Sequence, residues 1–164
     1  MKAVVVVDGE VTSAHGMEAV LERRGFIVLR AATTEEAVKL IKNGHPTVDL
    51  IIAEAPGGDC VAQTEAAVRI HQGSPDIPIL LVSDVPLEKW PEANFLQFGE
   101  LLSGRVDLLV RPLTQASFMA KAHALIYRVS YGESRRLFES AAAMRSNSPK
   151  FSSRVMSNNG SPLV

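Results

Sequence analysis

Val48-Asp49-Leu50-Ile51-Ile52-Ala53-Glu54 is an apolar run, rich in β-branched residues, that stops on an acid. The same grammar recurs along the chain. Ala3–Val7 leads into Asp8, Ile77–Val82 into Ser83, and Val106–Val110 into Arg111; Phe26–Leu29 is a shorter run followed by Arg30-Ala31-Ala32. A strand with one wet face alternates apolar and polar residues. These runs are mostly apolar throughout, the pattern of strands covered on both faces in a parallel sheet.

Between the runs the period changes to that of a helix. Val11–Arg24 places Val11, Met17, Val20 and Leu21 near helical spacing, and Gly25 ends it. Thr33-x-x-Glu36 is a capping-box signature opening a helix with Ala37, Leu40 and Ile41 on one face; Asn43-Gly44 and Pro46 close it. Val61–Gln72 is a third helix, ended by Gly73-Ser74-Pro75. Ala93–Leu102 is a fourth, carrying Phe95 and Phe98. Thr114–Val129 is a fifth, with Phe118, Ala122, Leu125 and Ile126 inward. Five strands alternating with five helices through right-handed crossovers predict an α/β fold. It is a flavodoxin-like, doubly wound five-stranded parallel sheet, order 2-1-3-4-5, with helices on both faces.

Composition bounds the function. At 164 residues, 46% hydrophobic and 21% charged, the chain is sized for one globular domain and is neither a disordered nor a fibrous protein. No run approaches the eighteen or so apolar residues of a membrane span, and Met1–Val7 is too short for a signal-peptide core. The single cysteine, Cys60, cannot form an internal disulfide, which points to a cytoplasmic protein. A formal net charge of −1 leaves no global basic field for nucleic acid. The chain divides near Gly132: residues 1–131 form the domain and residues 132–164 an extension. That extension has Arg135, Arg136, Arg145, Lys150 and Arg154 against Glu133 and Glu139, so it carries +3 and leaves −4 for the rest. A short helix over 133–145 is expected, with Leu137, Ala141 and Met144 on one face, then a disordered Ser-rich tail.

In doubly wound sheets, ligands bind at the carboxyl ends of the strands. Here those ends are Asp8-Gly9-Glu10, Glu54, Ser83-Asp84 and Arg111-Pro112. Two acids, a hydroxyl and a cation converge on one edge. Asp49 and Asp107 stand at strand beginnings, on the opposite edge; Asp59 and Asp84 are further carboxylates. His15, His45, His71 and His123 lack metal-ligand spacing. Gly57-Gly58 reads equally as an anion cradle or a turn. There is no Walker motif, no Gly-x-Gly-x-x-Gly after the first strand, and no Gly-x-Ser-x-Gly around Ser83.

The ordered set Val4–Asp8-x-Glu10, Val48-Asp49-Leu50-Ile51-Ile52-x-Glu54, Pro56-Gly57-x-Asp59, Ile77-Pro78-Ile79-x-x-Val82-Ser83 and Gly104-x-x-Asp107-x-Leu109-x-Arg111-Pro112-Leu113-Thr114 resembles the receiver domain of bacterial two-component response regulators. The resemblance spans residues 2 to about 129. It implies a phosphorelay protein: a histidine kinase passes a phosphoryl group to an aspartate ending strand three, acids ending strand one hold Mg²⁺, a Ser or Thr ends strand four, and a Lys ends strand five. It also implies output through the face of helix four, strand five and helix five, where Trp90, Phe95, Phe98, Leu101 and Leu108 fall.

The chain departs from that pattern. Asp8 matches the first acid, but Gly9 replaces the second. Glu54 stands at the phosphoacceptor position, Arg111 replaces the lysine, and Leu108 stands where many members have Tyr or Phe. Glu54 carries its carboxylate one methylene, roughly 1.5 Å, further into the pocket, and displacement by about 1 Å is already costly for in-line attack. One acid fewer weakens a Mg²⁺ site. Arg111 is expected to pair with Glu54, directly or with Ser83, as an imitation of the activated state; loss of the site by drift is the competing account. The reading is a stand-alone pseudo-receiver, not an enzyme, that signals by phosphorylation-independent protein contact. Its pocket is Asp8, Gly9, Glu10, Ser83, Asp84 and Arg111 around Glu54; its partner surface is Trp90, Phe95, Phe98 and Leu108. Mg²⁺ at Asp8 is expected to be weak or absent, and no other cofactor is expected. A histidine kinase or other signalling protein is the expected partner, and a homodimer is allowed. The alternatives are a divergent receiver that still takes phosphate or a small anion, and, more distantly, a flavodoxin-like enzyme.

Overall fold

The computed structural model describes residues 2–8, 11–44, 47–54, 60–101, 105–127 and 132–146. Five strands, β1 (Ala3–Asp8), β2 (Ile27–Ala31), β3 (Val48–Glu54), β4 (Ile79–Ser83) and β5 (Val106–Val110), pair in parallel in the order β2-β1-β3-β4-β5. Six helices accompany them: α1 (Val11–Arg23), α2 (Thr34–Asn43), α3 (Cys60–Gly73), α4 (Glu92–Leu101), α5 (Gln115–Ile126) and α6 (Gly132–Ser146). A 3₁₀ turn, Leu87–Lys89, lies between β4 and α4. The doubly wound parallel sheet expected from the sequence is the architecture observed.

Alternation along each strand divides the core in two. Val4, Val6, Leu50, Ile52, Leu80, Val82 and Leu109 pack under α1 and α5 with Met17, Leu21, Phe118 and Leu125. Val5, Val7, Ile51, Ala53, Ile79, Leu81 and Leu108 pack on the other side with Ala37, Ile70, Phe95 and Phe98. A fully buried Val, Leu, Ile or Phe side chain contributes roughly 1.5–3 kcal/mol before the entropy of ordering is counted. Both faces of β1, β3 and β4 are covered, which is why their sequences do not alternate.

The helix ends follow local chemistry. Thr33 Oγ1 accepts from the Glu36 amide at 3.2 Å, but the Glu36 carboxylate reaches past the cap to the Ala32 amide at 2.8 Å, so the signature is half realised. Gly44 follows α2 at φ +69°, the left-handed conformation that glycine adopts without a Cβ penalty. At α5, Thr114 and Ser117 form the reciprocal box: Thr114 Oγ1 accepts from the Ser117 amide at 3.0 Å, and Ser117 Oγ accepts from the Thr114 amide at 3.1 Å.

The helix in the extension runs over Gly132–Ser146. Its inward face is one position away from the expected one. Phe138, Ala141, Ala142 and Arg145 face the domain, while Met144 is 57% exposed; the Leu137 side chain and residues 147–164, where the tail was expected, lie outside the described residues. Thr114→Ala removes one half of the α5 box and should lower stability by about 1 kcal/mol, read as a lower urea midpoint with an unchanged m-value.

Candidate functional site

Parallel register aligns the strand ends. Asp8 lies opposite Glu54, Glu54 opposite Val82, and Ser83 opposite Val110. One residue further, the Arg111 amide donates to the Ser83 carbonyl at 2.8 Å. Glu54, Ser83, Asp84 and Arg111 therefore meet at one edge of the sheet. The Asp8 side chain, Gly9 and Glu10 fall outside the described residues, as do Asp59, the Gly57-Gly58 pair and His45, so nothing structural attaches to those expectations.

Arg111 joins two carboxylates. One terminal nitrogen donates to Glu54 Oε2, and the other donates to Asp84 Oδ1 at 3.2 Å. The Glu54 side chain is 2% exposed, that of Arg111 28% and that of Asp84 46%. The pairs differ in kind. Glu54–Arg111 is largely withdrawn from water, where desolvation offsets much of the attraction and loss of one partner is costly. Asp84–Arg111 is at the rim, screened by solvent. Burial acts to lower the Arg111 pKa, but hydrogen bonding and attraction from Glu54, then from Asp84, outweigh it and hold the pKa above the ordinary arginine value. A raised folded-state pKa means the stabilisation is fully present below the unfolded value and is lost only as pH rises through the folded one. The window is therefore strongly alkaline, and the guanidinium charge is constant across working pH.

Ser83 takes no part in this network. Its hydroxyl donates to the Val85 carbonyl at 2.9 Å and accepts from the Val85 amide at 3.0 Å. Alternation explains the separation: Ser83 shares the parity of Ile79 and Leu81, beneath α4, whereas Glu54 and Arg111 share the parity of Ile52 and Leu109, beneath α1 and α5. Asp84, read from sequence only as one further carboxylate on this edge, is the residue that completes the bridge. Asp49 and Asp107 are at the opposite edge, where Asp49 accepts from the Ala3 amide at 2.9 Å and Asp107 pairs with Lys121 at 3.3 Å.

Glu54 is engaged by a cation, Gly9 offers no side-chain ligand, and no group of three or more metal-binding side chains occurs among the described residues. Beside Arg111 a surface cleft of about 280 Å³ runs between α1 and α5, lined by Met17, Val20, Leu113, Thr114 and Phe118.

The four residues expected at the partner surface are not exposed in this structure. Trp90, Phe95, Phe98 and Leu108 are all core residues, none more than 4% exposed. The missing information was α6. Phe138 stacks on Phe95 with centroids 4.6 Å apart, and Arg145 lies 4.3 Å above the same ring. Trp90 Nε1 donates to the Val85 carbonyl at 3.0 Å, fixing the indole under the loop.

No protein-family model matches the sequence. The phosphate regulon transcriptional regulatory protein PhoB of Pseudomonas aeruginosa is 27% identical over 135 residues, which is 81% of this chain and 55% of PhoB. The chain thus spans about half the length of that curated relative. A CheY-like response regulator receiver domain protein from Methanospirillum hungatei superposes with a TM-score of 0.63 at 19% identity, covering 78% of this chain and 95% of the other. A receiver domain protein from Clostridium thermocellum gives 0.62 at 18%, covering 78% and 96%. A two-component response regulator from Clostridium difficile gives 0.61 at 21%, covering 79% and 99%. The chain has the fold of response regulator receiver domains. No described helix is long and apolar enough to cross a membrane.

The two carboxylates should respond unequally to mutation. Arg111→Met takes the guanidinium away from a buried carboxylate and should cost about 3–5 kcal/mol, whereas Asp84→Asn, at the solvent rim, should cost no more than about 1 kcal/mol. Urea unfolding of the two variants measures both; equal losses would contradict the ranking.

Proposed function

We propose that this chain is an atypical receiver domain that acts in signal transduction by protein contact, with no phosphoryl transfer onto Glu54, no need for Mg²⁺ and no catalysis of its own. The observation that carries this reading is the Arg111 bridge. In the chemistry the fold family performs, a cation at the end of β5 meets negative charge that arrives on the acceptor. Here the cation already meets a carboxylate fixed at that position, and Asp84 matches it a second time. The charge relation of a modified receiver is therefore built into the sequence, as an internal salt bridge. An incoming phosphoryl group would have to break a buried, charge-assisted pair and would add charge to an edge where two carboxylates already face one guanidinium.

The anion-binding alternative needs Arg111 to offer its donors outward, and both terminal nitrogens are directed at carboxylates. The enzyme alternative predicts a bound cofactor or a visible absorption band in the purified protein, and a protein-contact domain predicts neither. Protein partners of the signalling class follow from the same reading.

Intact mass after incubation with Mg²⁺ and acetyl phosphate tests it, with an ordinary receiver domain in parallel. The control should gain one phosphoryl group and this chain none. A phosphoryl group on this chain with the lability of an acyl phosphate would overturn the reading.

A further inference from the structure

The groove between α4 and the loop that precedes it is shaped for a helix. Gly99 sits inside α4, where a glycine weakens the helix, and a Cβ built on it would lie 2.5 Å from the Phe138 ring. The bare α-carbon is thus the floor on which that ring rests. Next to it, the carbonyls of Leu87, Glu88 and Trp90 converge on one nitrogen of Arg145, at 3.5, 3.1 and 2.7 Å, and Arg145 is itself buried. Phe95 lies between, stacked by Phe138 and covered by the guanidinium. Phe138 and Arg145 are two helical turns apart, with Ala141 and Ala142 between them against the core. The groove therefore reads a pattern: an aromatic ring, small residues three and four positions on, and an arginine at seven.

We propose that this groove is a helix-docking site, filled in this structure by α6, and that the partner it accepts in trans is a protein helix carrying the same pattern. Among its described side chains, those packed on the domain form one stripe, Phe138, Ala141, Ala142 and Arg145. Glu139, Ser140, Ala143 and Met144 on its other sides are exposed. An element gripped along one narrow face belongs to the part of a fold that opens first. Its departure uncovers the Phe95 ring and the carbonyl triplet, an apolar patch with a polar anchor point of the kind that partner helices fill. The two N–H donors of that nitrogen are shared among the three carbonyls, and a helix with leucine or glutamate at the seventh position would bring no donor to them. The inference goes beyond the reading above, because the groove takes a helix whether or not the carboxyl edge takes phosphate.

A fluorescein-labelled peptide of residues 132–146 is the probe, followed by anisotropy against two full-length chains, wild type and Phe138→Ala/Arg145→Gln. The variant, checked for a cooperative urea transition, should bind the peptide saturably and at least tenfold more tightly than wild type, whose own α6 competes. A peptide with Phe138→Ala should lose at least tenfold. Equal binding by the two chains, no binding by the folded variant, or indifference to the phenylalanine would overturn the proposal. If the variant lacks a cooperative transition, hydrogen exchange on the wild-type chain decides: α6 amides must exchange through a local opening, faster than those of α4 and β5. Exchange of α6 only on global unfolding would equally overturn it.

Discussion

One guanidinium between two carboxylates organises the carboxyl edge of this sheet. Arg111 ties the end of β5 to the end of β3 through Glu54, and to the residue following β4 through Asp84. Three consecutive strands in space are thus cross-linked at the point where their backbone ladder stops. A buried carboxylate is tolerable only with such a partner, since desolvation of an unpaired charge outweighs what the surrounding packing can offset. Glutamate at position 54 and arginine at position 111 are therefore a single structural decision made at two places in the chain. The extra methylene of glutamate brings its oxygen toward β5, and the planar guanidinium can serve two acceptors where an ammonium acts as a point charge.

The second half of the molecule hangs on the loop that leaves this edge. From Asp84 the chain turns through Val85, held on both sides by Ser83, and Val85 in turn accepts from the Trp90 indole. The Trp90 carbonyl then accepts from Arg145 of α6. The loop between β4 and α4 is the common support of the ion cluster and of the terminal helix. Cores of this density do not deform continuously, so a change in the position of Asp84 would be felt along the loop that carries the docking groove.

The fold was legible because the strands announce themselves twice. Val4–Val7 and Leu50–Ala53 are apolar without alternation, and each run stops on a polar residue that the register then aligns. The Glu54–Arg111 relation was legible from charge and strand order. Which hydroxyl or carboxylate would join it was not, because that depends on strand parity: Ser83 points under α4, and Asp84, one residue on, reaches the edge. The aromatic residues were misread for a different reason. Trp90, Phe95 and Phe98 look like surplus apolar surface when the sixth helix is read as part of a separate extension. They become core once Phe138 and Arg145 are placed on them, and the inward side of α6 is marked by an arginine, which hydrophobic periodicity does not register. Gly99 is equally silent in sequence, since nothing near it forecasts an aromatic ring from 39 residues downstream.

A double-mutant cycle measures the energetic coupling of Glu54 and Arg111 directly. Unfolding free energies of the wild-type chain, Glu54→Gln, Arg111→Met and the double variant, taken from urea titrations at one pH and salt concentration, close the cycle. A pair that holds the sheet edge together should show a coupling of about 1.5 kcal/mol or more, as found for close pairs shielded from solvent, with the double variant losing much less than the two single losses added. Losses that simply add, within about 0.5 kcal/mol, would show two independent surface charges and would contradict it.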